Sequence, residues 1–168
     1  MTISDINLIF DFNYWANDLL LTKAALLQPE QLTQAVDFPF SNLQGTLAHI
    51  LDSEYVWRTL CSEQRFTGRL LDKVTFPDLE SLRAYWKQEE TRMRAYLSKL
   101  SDSDLGNPIR YEADGNTRER ILWHCLWHLV NHGTQHRSQC AAMLKGFGQS
   151  PGSMDFTHFL NLRAAGQA

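Results

Sequence analysis

Four long segments of this 168-residue chain repeat apolar side chains at the spacing of an α-helix. An apolar residue at every third or fourth position places a stripe on one helix face, and that stripe must be buried against another element. The pattern predicts four long helices, over about residues 4–27, 41–63, 78–100 and 116–145. Runs that alternate apolar and polar residues, as strands do, are nearly absent. We therefore predict an all-α fold, a four-helix bundle with cross-over loops in one domain over residues 1–168.

Short polar sequences predict where the helices begin and end. Residues 41–44 (Ser-Asn-Leu-Gln) and 116–119 (Asn-Thr-Arg-Glu) both have the form of a capping box. In that motif the first and fourth residues exchange hydrogen bonds between side chain and backbone. Pro29 ends the first helix or starts a short separate turn, because proline lacks the amide hydrogen. Gly146 and Gly148 end the fourth helix.

The segments between and after the helices are predicted to be irregular. Residues 64–77 form a long cross-over loop that contains glycine and proline. Residues 101–115 form a second one, with a small turn or hairpin at 111–115 (Tyr-Glu-Ala-Asp-Gly). A short amphipathic segment follows near the end, over 156–162.

Composition and charge argue against several classes of function. The net charge is -3 without a run of lysine or arginine, which disfavours binding to a phosphate backbone. No apolar run approaches the roughly 20 residues that span a bilayer, and the first residues do not resemble a signal peptide. Cys61, Cys125 and Cys140 are too few and too widely spaced for a disulfide framework. We expect a soluble cytoplasmic protein that binds neither nucleic acid nor membrane.

Four of the six histidines follow one another at intervals of four residues: His124, His128, His132 and His136. Residues four apart on a helix are neighbours, so adjacent members of this row can share one metal ion. Each step of four overshoots a full turn by about 40°, so the row winds around the helix. The helix geometry places His132 and His136 on the inward face, His124 near solvent and His128 between the two. The best pair of ligands is therefore His132 with His136.

A two-histidine site needs further ligands, and His49 is the histidine that lies inside another long helix. Three neutral imidazoles would leave one or more coordination positions for water or substrate, as in a catalytic metal site. A lone histidine on a half-buried helix is, however, more often a hydrogen-bonded core residue. The spacing alone also leaves open a polar seam at a dimer interface or a chance run of histidines.

Three motifs resemble those of the DinB/YfiT-like family, whose members are regarded as metalloenzymes. The strongest is HLVNHGTQHRSQCAAMLKGFGQSPGSMDF at 128–156, which is similar to the last-helix pattern of that family. LAHILDSEYVW at 47–57 resembles the second-helix motif, and FDFNYWANDLLL at 10–21 resembles the first-helix motif. The resemblance covers essentially the whole chain.

This resemblance implies a fold, a metal site and a class of chemistry. It implies a bundle in up-down-down-up order, a Zn or Ni ion held by His49, His132 and His136, and a homodimer. Relatives of understood activity are S-transferases and isomerases that depend on a low-molecular-weight thiol. One unusual feature is Gly133 between the two paired histidines, because glycine inside a helix costs up to about 1 kcal/mol relative to alanine. A glycine there allows close approach by a helix or a ligand.

The sequence leaves three functions in competition. The first is a metal-dependent transferase acting on a thiol, in which Glu54 and Arg137 either orient groups or make ordinary salt bridges. The second is metal-dependent hydrolysis, which is less favoured because no HExxH motif supplies the usual base. The third is a non-catalytic, stress-related bundle that binds a metal or a ligand. A closed site, with Cys125 or His128 as a fourth ligand, would favour the third.

Overall fold

The computed structural model describes residues 1–113 and 115–168, and the chain is mostly helical, at 62%. The described part contains six α-helices: α1 (Ile3–Ala24), α2 (Pro29–Thr33), α3 (Leu43–Glu63), α4 (Leu79–Leu97), α5 (Leu122–Gly146) and α6 (Phe156–Ala164). It also contains two strands, β1 (Pro108–Ala113) and β2 (Asn116–Ile121). The predicted all-α class is therefore approximately right. Within these residues, no helix has the length and apolar character needed to cross a membrane.

Helix α1 is shorter than the periodicity predicted. It begins with a capping box between Thr2 and Asp5 and ends at Ala24 rather than at residue 27. The next residues continue as a turn, with Leu27 donating its amide hydrogen to the Ala24 carbonyl. Pro29 then opens the short helix α2, because its fixed φ suits the first helical position.

Helix α3 begins one residue later than the predicted capping box. Asn42 is the N-cap, and its side chain accepts a 2.7 Å hydrogen bond from the Gly45 amide. Ser41 adopts a left-handed conformation with φ 63°, and Gln44 donates to the carbonyl of Phe76 in the cross-over loop. The capping box predicted at residues 41–44 is therefore wrong.

The predicted start of the fourth helix is also wrong. Residues 116–121 form β2, which pairs with β1 as an antiparallel hairpin, and α5 begins only at Leu122. The Glu119 carboxylate accepts a 2.5 Å hydrogen bond from Arg110 on the opposite strand, so it does not cap a helix. The turn predicted at 111–115 falls partly on Asp114, which lies outside the described residues.

The core consists of two apolar clusters with a polar layer between them. One cluster joins the first half of α1 to the first half of α5 and to α6. The other joins the last part of α1, the first half of α3 and the last part of α5. Helix α5 packs against α1 and α3, and α4 packs against the same two helices on another side. The segments between the clusters carry the buried polar residues Asn17, Glu54, Glu89 and Arg137, and Asn13, in the stretch of α1 that belongs to the first cluster, bonds to two of them.

Candidate metal centre

Three histidines from two helices converge at the polar layer. His49 lies on α3, and His132 and His136 lie one turn apart on α5. The Nε2 atom of His132 is 3.3 Å from that of His49 and 3.2 Å from that of His136. Four-coordinate zinc with bonds of about 2.0–2.1 Å separates its nitrogen ligands by about 3.3 Å. The three residues form a group that could hold a metal ion, with ligand atoms within 4.8 Å of one another.

A side chain on α5 orients His136. The His136 Nδ1 atom and the Gln139 Oε1 atom are 2.8 Å apart. An amide oxygen can only accept, so Nδ1 is the donor of this bond, and in the neutral tautomer that it selects the lone pair is on Nε2. This arrangement, a ligand histidine whose other nitrogen donates to a fixed acceptor, is the usual one in metal sites.

The other two imidazoles are neutral at pH 7. Burial, with a smaller contribution from the proximity of His136, lowers the pKa of His49 to about 4. Burial is also the main reason that the pKa of His132 is lowered to about 4. A neutral imidazole keeps one lone pair free for a metal.

The contacts among the three rings suit a cation better than a hydrogen. With the lone pair of His136 on Nε2, His132 could donate from Nε2 to His136 or to His49 but not to both. If His132 Nε2 carries a hydrogen, one of its two neighbours receives no hydrogen bond from it; if it carries none, its lone pair faces that of His136. Within the described residues, the Nδ1 atoms of His49 and His132 are buried and lack a hydrogen-bond partner. A divalent ion bound by all three Nε2 atoms would satisfy the inward-facing lone pairs together.

Phe40 forms one wall of the site. Its ring stacks on His49, with centroids 3.8 Å apart and an angle of 18° between the planes. It also meets the ring of His136 edge-on, at 5.3 Å. The backbone comes this close because Gly45 has no side chain: a Cβ there would lie 2.6 Å from the Phe40 carbonyl oxygen. Sequence reasoning missed Phe40, since it precedes α3 in a loop and has no periodic signal.

The remaining candidate ligands lie outside the group. His128 is exposed, and its ring centroid lies 5.7 Å from that of His132 and 4.8 Å from that of Trp57. Cys125 is buried in the apolar cluster near the start of α5. Among the described residues, neither belongs to the set that could hold an ion. His124 lies at the surface, where the helix geometry places it.

Glu54 and Arg137 lie in the core beside the histidines, each with 1% of its surface exposed. Two asparagines on α1 stand between them. Asn13 and Asn17 each donate a 2.9 Å hydrogen bond from Nδ2 to Glu54 Oε1. Both accept at Oδ1 from Arg137 Nη1, at 3.1 Å for Asn17. Trp86 on α4 donates to the second Glu54 oxygen at 3.0 Å.

Burial and hydrogen bonding have opposite effects on the pKa of Glu54 in this network. Burial raises the pKa of Glu54 to about 7, while its three accepted hydrogen bonds and Arg137 oppose the increase. Burial lowers the pKa of Arg137 to about 10, so its guanidinium stays charged at neutral pH. Sequence reasoning named the two charged residues but not the asparagines. Their signal was two amides four residues apart on an otherwise apolar face of α1.

Three cavities in the described part of the chain lie away from the histidines. One of about 860 Å³ lies beside α1 and α4, one of about 630 Å³ is lined mainly by the end of α1, by α2 and by the start of α4, and one of about 310 Å³ lies beside the start of α3. None of these three includes a histidine of the triad. Charged side chains that line the 860 Å³ cavity form ion pairs with one another. Arg94, for example, pairs with Asp11 and Glu90. We therefore place the candidate site at the histidines.

Comparisons with known proteins agree with the resemblance in the motifs. The chain is 22% identical over 158 residues to Protein DinB of Bacillus subtilis (strain 168), which covers 90% of this chain and 91% of that protein. A DinB-like protein from Bacillus cereus has a similar fold, with a TM-score of 0.69 at 19% identity over 90% of this chain and 97% of that one. A DinB-like protein from Bacillus subtilis has a TM-score of 0.64 at 17% identity, over 84% and 92% of the two chains.

The match to a family model is the decisive comparison, because it extends over nearly every residue. It begins at residue 2 and ends at residue 167, and so includes the helices that carry all three histidines. The chain belongs to the DinB family.

Proposed function

We propose that this protein binds one divalent transition-metal ion through His49, His132 and His136 and uses it in catalysis. The observation that carries the proposal is the convergence of three Nε2 atoms, with separations of 3.3 and 3.2 Å about His132. Neutral imidazoles favour zinc or nickel over magnesium or calcium, which prefer oxygen ligands.

The number of ligands supports a catalytic role over a structural one. Structural zinc sites are closed by four protein ligands, whereas catalytic sites keep a position for water or substrate. The group found in the described residues has three members. When bound, such an ion supplies Lewis acidity that lowers the pKa of a coordinated water or thiol.

Metal analysis tests this proposal directly. Purified protein loaded with Zn²⁺ or Ni²⁺ and then desalted is expected to keep about one ion per chain by elemental analysis. His132→Ala removes the central ligand and is expected to lose that ion. His124→Ala, on the exposed side of the same helix, is the matched control and should keep it. Retention of stoichiometric metal by His132→Ala would contradict the assignment.

For the reaction, we propose transfer of a group to the sulfur of a low-molecular-weight thiol. The support is membership of the DinB family together with the three-histidine group, and metal-dependent hydrolysis is the second candidate. Thiol consumption is measured with several thiols and electrophiles, using metal-loaded and metal-free protein. Turnover of none of them would reject the transferase, and metal-dependent ester or amide cleavage in parallel assays would favour the hydrolase.

We further propose a four-helix bundle in up-down-down-up order that forms a homodimer in the cytoplasm. Support for the bundle is that α1, α3, α4 and α5 each pack against two of the others. The exposed indole of Trp127 on α5 offers an apolar contact for a second copy. Light scattering coupled to gel filtration gives the mass: a dimer that Trp127→Ser converts to a monomer would support this interface, and a monomeric wild type would reject it.

A further inference from the structure

We propose that Asn13, Asn17, Glu54 and Arg137 are positioning residues that hold α3 and α5 at the separation required by the metal site. This inference rests on the proposed metal binding, since it concerns the ligands named there. The four residues form one connected set of hydrogen bonds in the core, here called the buried network.

The buried network joins the two helices that carry the ligands. Glu54 lies on α3, five residues after His49, and Arg137 lies on α5, directly after His136. The two asparagines on α1 bond to both, with Nδ2 on the carboxylate and Oδ1 on the guanidinium. Helix α1 contributes no ligand, yet its two amides connect the helices that do. A shift of α3 relative to α5 would break these bonds.

The guanidinium is held on its other side by α5 itself. Its Nη2 atom donates to the Val130 carbonyl at 3.2 Å and to the Thr134 hydroxyl at 2.8 Å. The Arg137 side chain therefore runs back along α5 and lies over Gly133, the residue after His132 in the chain. A Cβ at Gly133 would come within 2.7 Å of Nη1. The helix turn that carries both ligands is thus fixed by the same side chain that reaches α1.

The hydrogen bonds of the buried network constrain the positions of α3 and α5 because all four side chains are buried. Glu54 and Arg137 are 1% exposed, Asn13 is 0% and Asn17 is 2% exposed. Water cannot replace a lost partner at such depth, so any displacement leaves a buried charge or amide unsatisfied. Polar side chains that orient metal ligands from outside the coordination sphere typically change metal affinity by about 10–100-fold when they are removed.

The test measures metal affinity in variants that remove one bridging amide. Asn13→Ala and Asn17→Ala each leave the other asparagine in place and lie on a helix without ligands. Zn²⁺ affinity is measured by competition with a chelator, and the geometry of the site by the visible absorption of the Co²⁺ form. We expect at least a 10-fold weaker Kd and a changed Co²⁺ spectrum for both variants.

The control is a buried ion pair of the same layer that does not reach α5. Glu89→Gln weakens the pair between Arg58 on α3 and Glu89 on α4. This variant is expected to lose stability but to keep the wild-type Kd and Co²⁺ spectrum within about 2-fold. All proteins are compared at a temperature where circular dichroism shows them fully folded. Arg137→Lys, which keeps the charge but loses the planar fork, is a second variant from the α5 side.

The outcomes separate the two proposals. If the wild type binds no metal, the proposed function fails and the positioning role fails with it. If the wild type binds metal and both asparagine variants bind it with unchanged affinity and spectrum, the positioning role is overturned while metal binding stands. Equal weakening by Glu89→Gln would also overturn it, because general loosening of the core would then explain the effect.

Discussion

At the scale of single residues, Gly133 connects the structure of α5 to the site. Glycine lowers helix stability, so its position between the two ligand histidines needs a reason. The reason is space: a Cβ at this position would lie 2.7 Å from Arg137 Nη1 and 3.3 Å from Asn13 Oδ1. The sequence predicted close approach at this position, and the structure supplies the group that approaches.

We predict that Gly133→Ala destabilises the protein by about 1–3 kcal/mol, although alanine is the better helix former. The added methyl group displaces Nη1 of Arg137 and leaves buried hydrogen bonds unmade. Urea denaturation gives the free energy of unfolding. Gly146→Ala, on the same helix with nothing within 4 Å of the added Cβ, is the control and should be neutral or stabilising. An equal change in the free energy of unfolding for the two variants would show that Arg137 leaves room for a Cβ at position 133.

Gln139 is a residue whose loss should affect the metal more than the fold. Its Oε1 atom accepts from His136 Nδ1 at 2.8 Å and so fixes which nitrogen faces the site. We predict that Gln139→Leu weakens Zn²⁺ binding by about 10–100-fold. Isothermal titration calorimetry measures the Kd. Ser138→Ala, whose hydroxyl only bonds back to the Thr134 carbonyl, is the neighbour control. An unchanged Kd in Gln139→Leu would mean that the tautomer is set by other groups.

At the scale of elements, the helices were predictable and their ends were less so. Periodicity located all four long helices because each buries one apolar stripe. Strand β2 (Asn-Thr-Arg-Glu-Arg-Ile) was missed because it has no apolar alternation. Its pairing with β1 depends on a cross-strand partner, Arg110 for Glu119, that local sequence does not reveal. The same local sequence imitates a capping box, and only the partner strand decides between them.

The start of α3 gives a test of which residue caps it. Asn42→Ala is expected to cost about 0.5–2 kcal/mol, because the Gly45 amide loses its acceptor. Ser41→Ala, which alters the residue that the sequence favoured, should change stability by less than about 0.5 kcal/mol. Thermal or urea unfolding of both variants measures the difference. A larger loss of unfolding free energy in Ser41→Ala than in Asn42→Ala would instead support Ser41 as the N-cap.

At the scale of the whole molecule, the site lies where two apolar clusters leave a polar layer between them. Helix geometry selected His132 and His136 from a row of four, and the family resemblance added His49; the structure places the three together. Their role as metal ligands stays a prediction. Phe40, Asn13 and Asn17 were not assigned, because their contacts with the site depend on how α1, α5 and the loop before α3 pack together.

The buried carboxyl in this layer makes stability depend on pH. Because the pKa of Glu54 is raised to about 7 from 4.5, the folded state binds its proton more tightly than the unfolded state does. This contribution is complete below about pH 4.5 and is lost as the pH rises to about 7, with a slope of up to about 1.4 kcal/mol per pH unit. His49 and His132 act in the opposite sense, since a pKa of about 4 favours the folded state as the pH rises.

The difference in free energy of unfolding between wild type and Glu54→Gln isolates the contribution of the Glu54 carboxyl group. Urea denaturation of the metal-free proteins gives the free energy of unfolding from pH 5 to pH 8. The value for wild type minus the value for Glu54→Gln should fall as the pH rises. Glutamine does not titrate, so the histidine contributions cancel in the difference. A difference that stays constant over this range would show that Glu54 keeps one protonation state throughout.

The polar layer also restricts how the helices can slide along one another. Moving α1 by one turn, about 5.4 Å, would still place apolar side chains against apolar side chains at both ends. It would carry Asn13 and Asn17 away from Arg137 and leave a buried cation without acceptors. A leucine-only interface has no such penalty and tolerates several alignments. The four polar side chains therefore define a single longitudinal register, which also sets the alignment of the three histidines on α3 and α5.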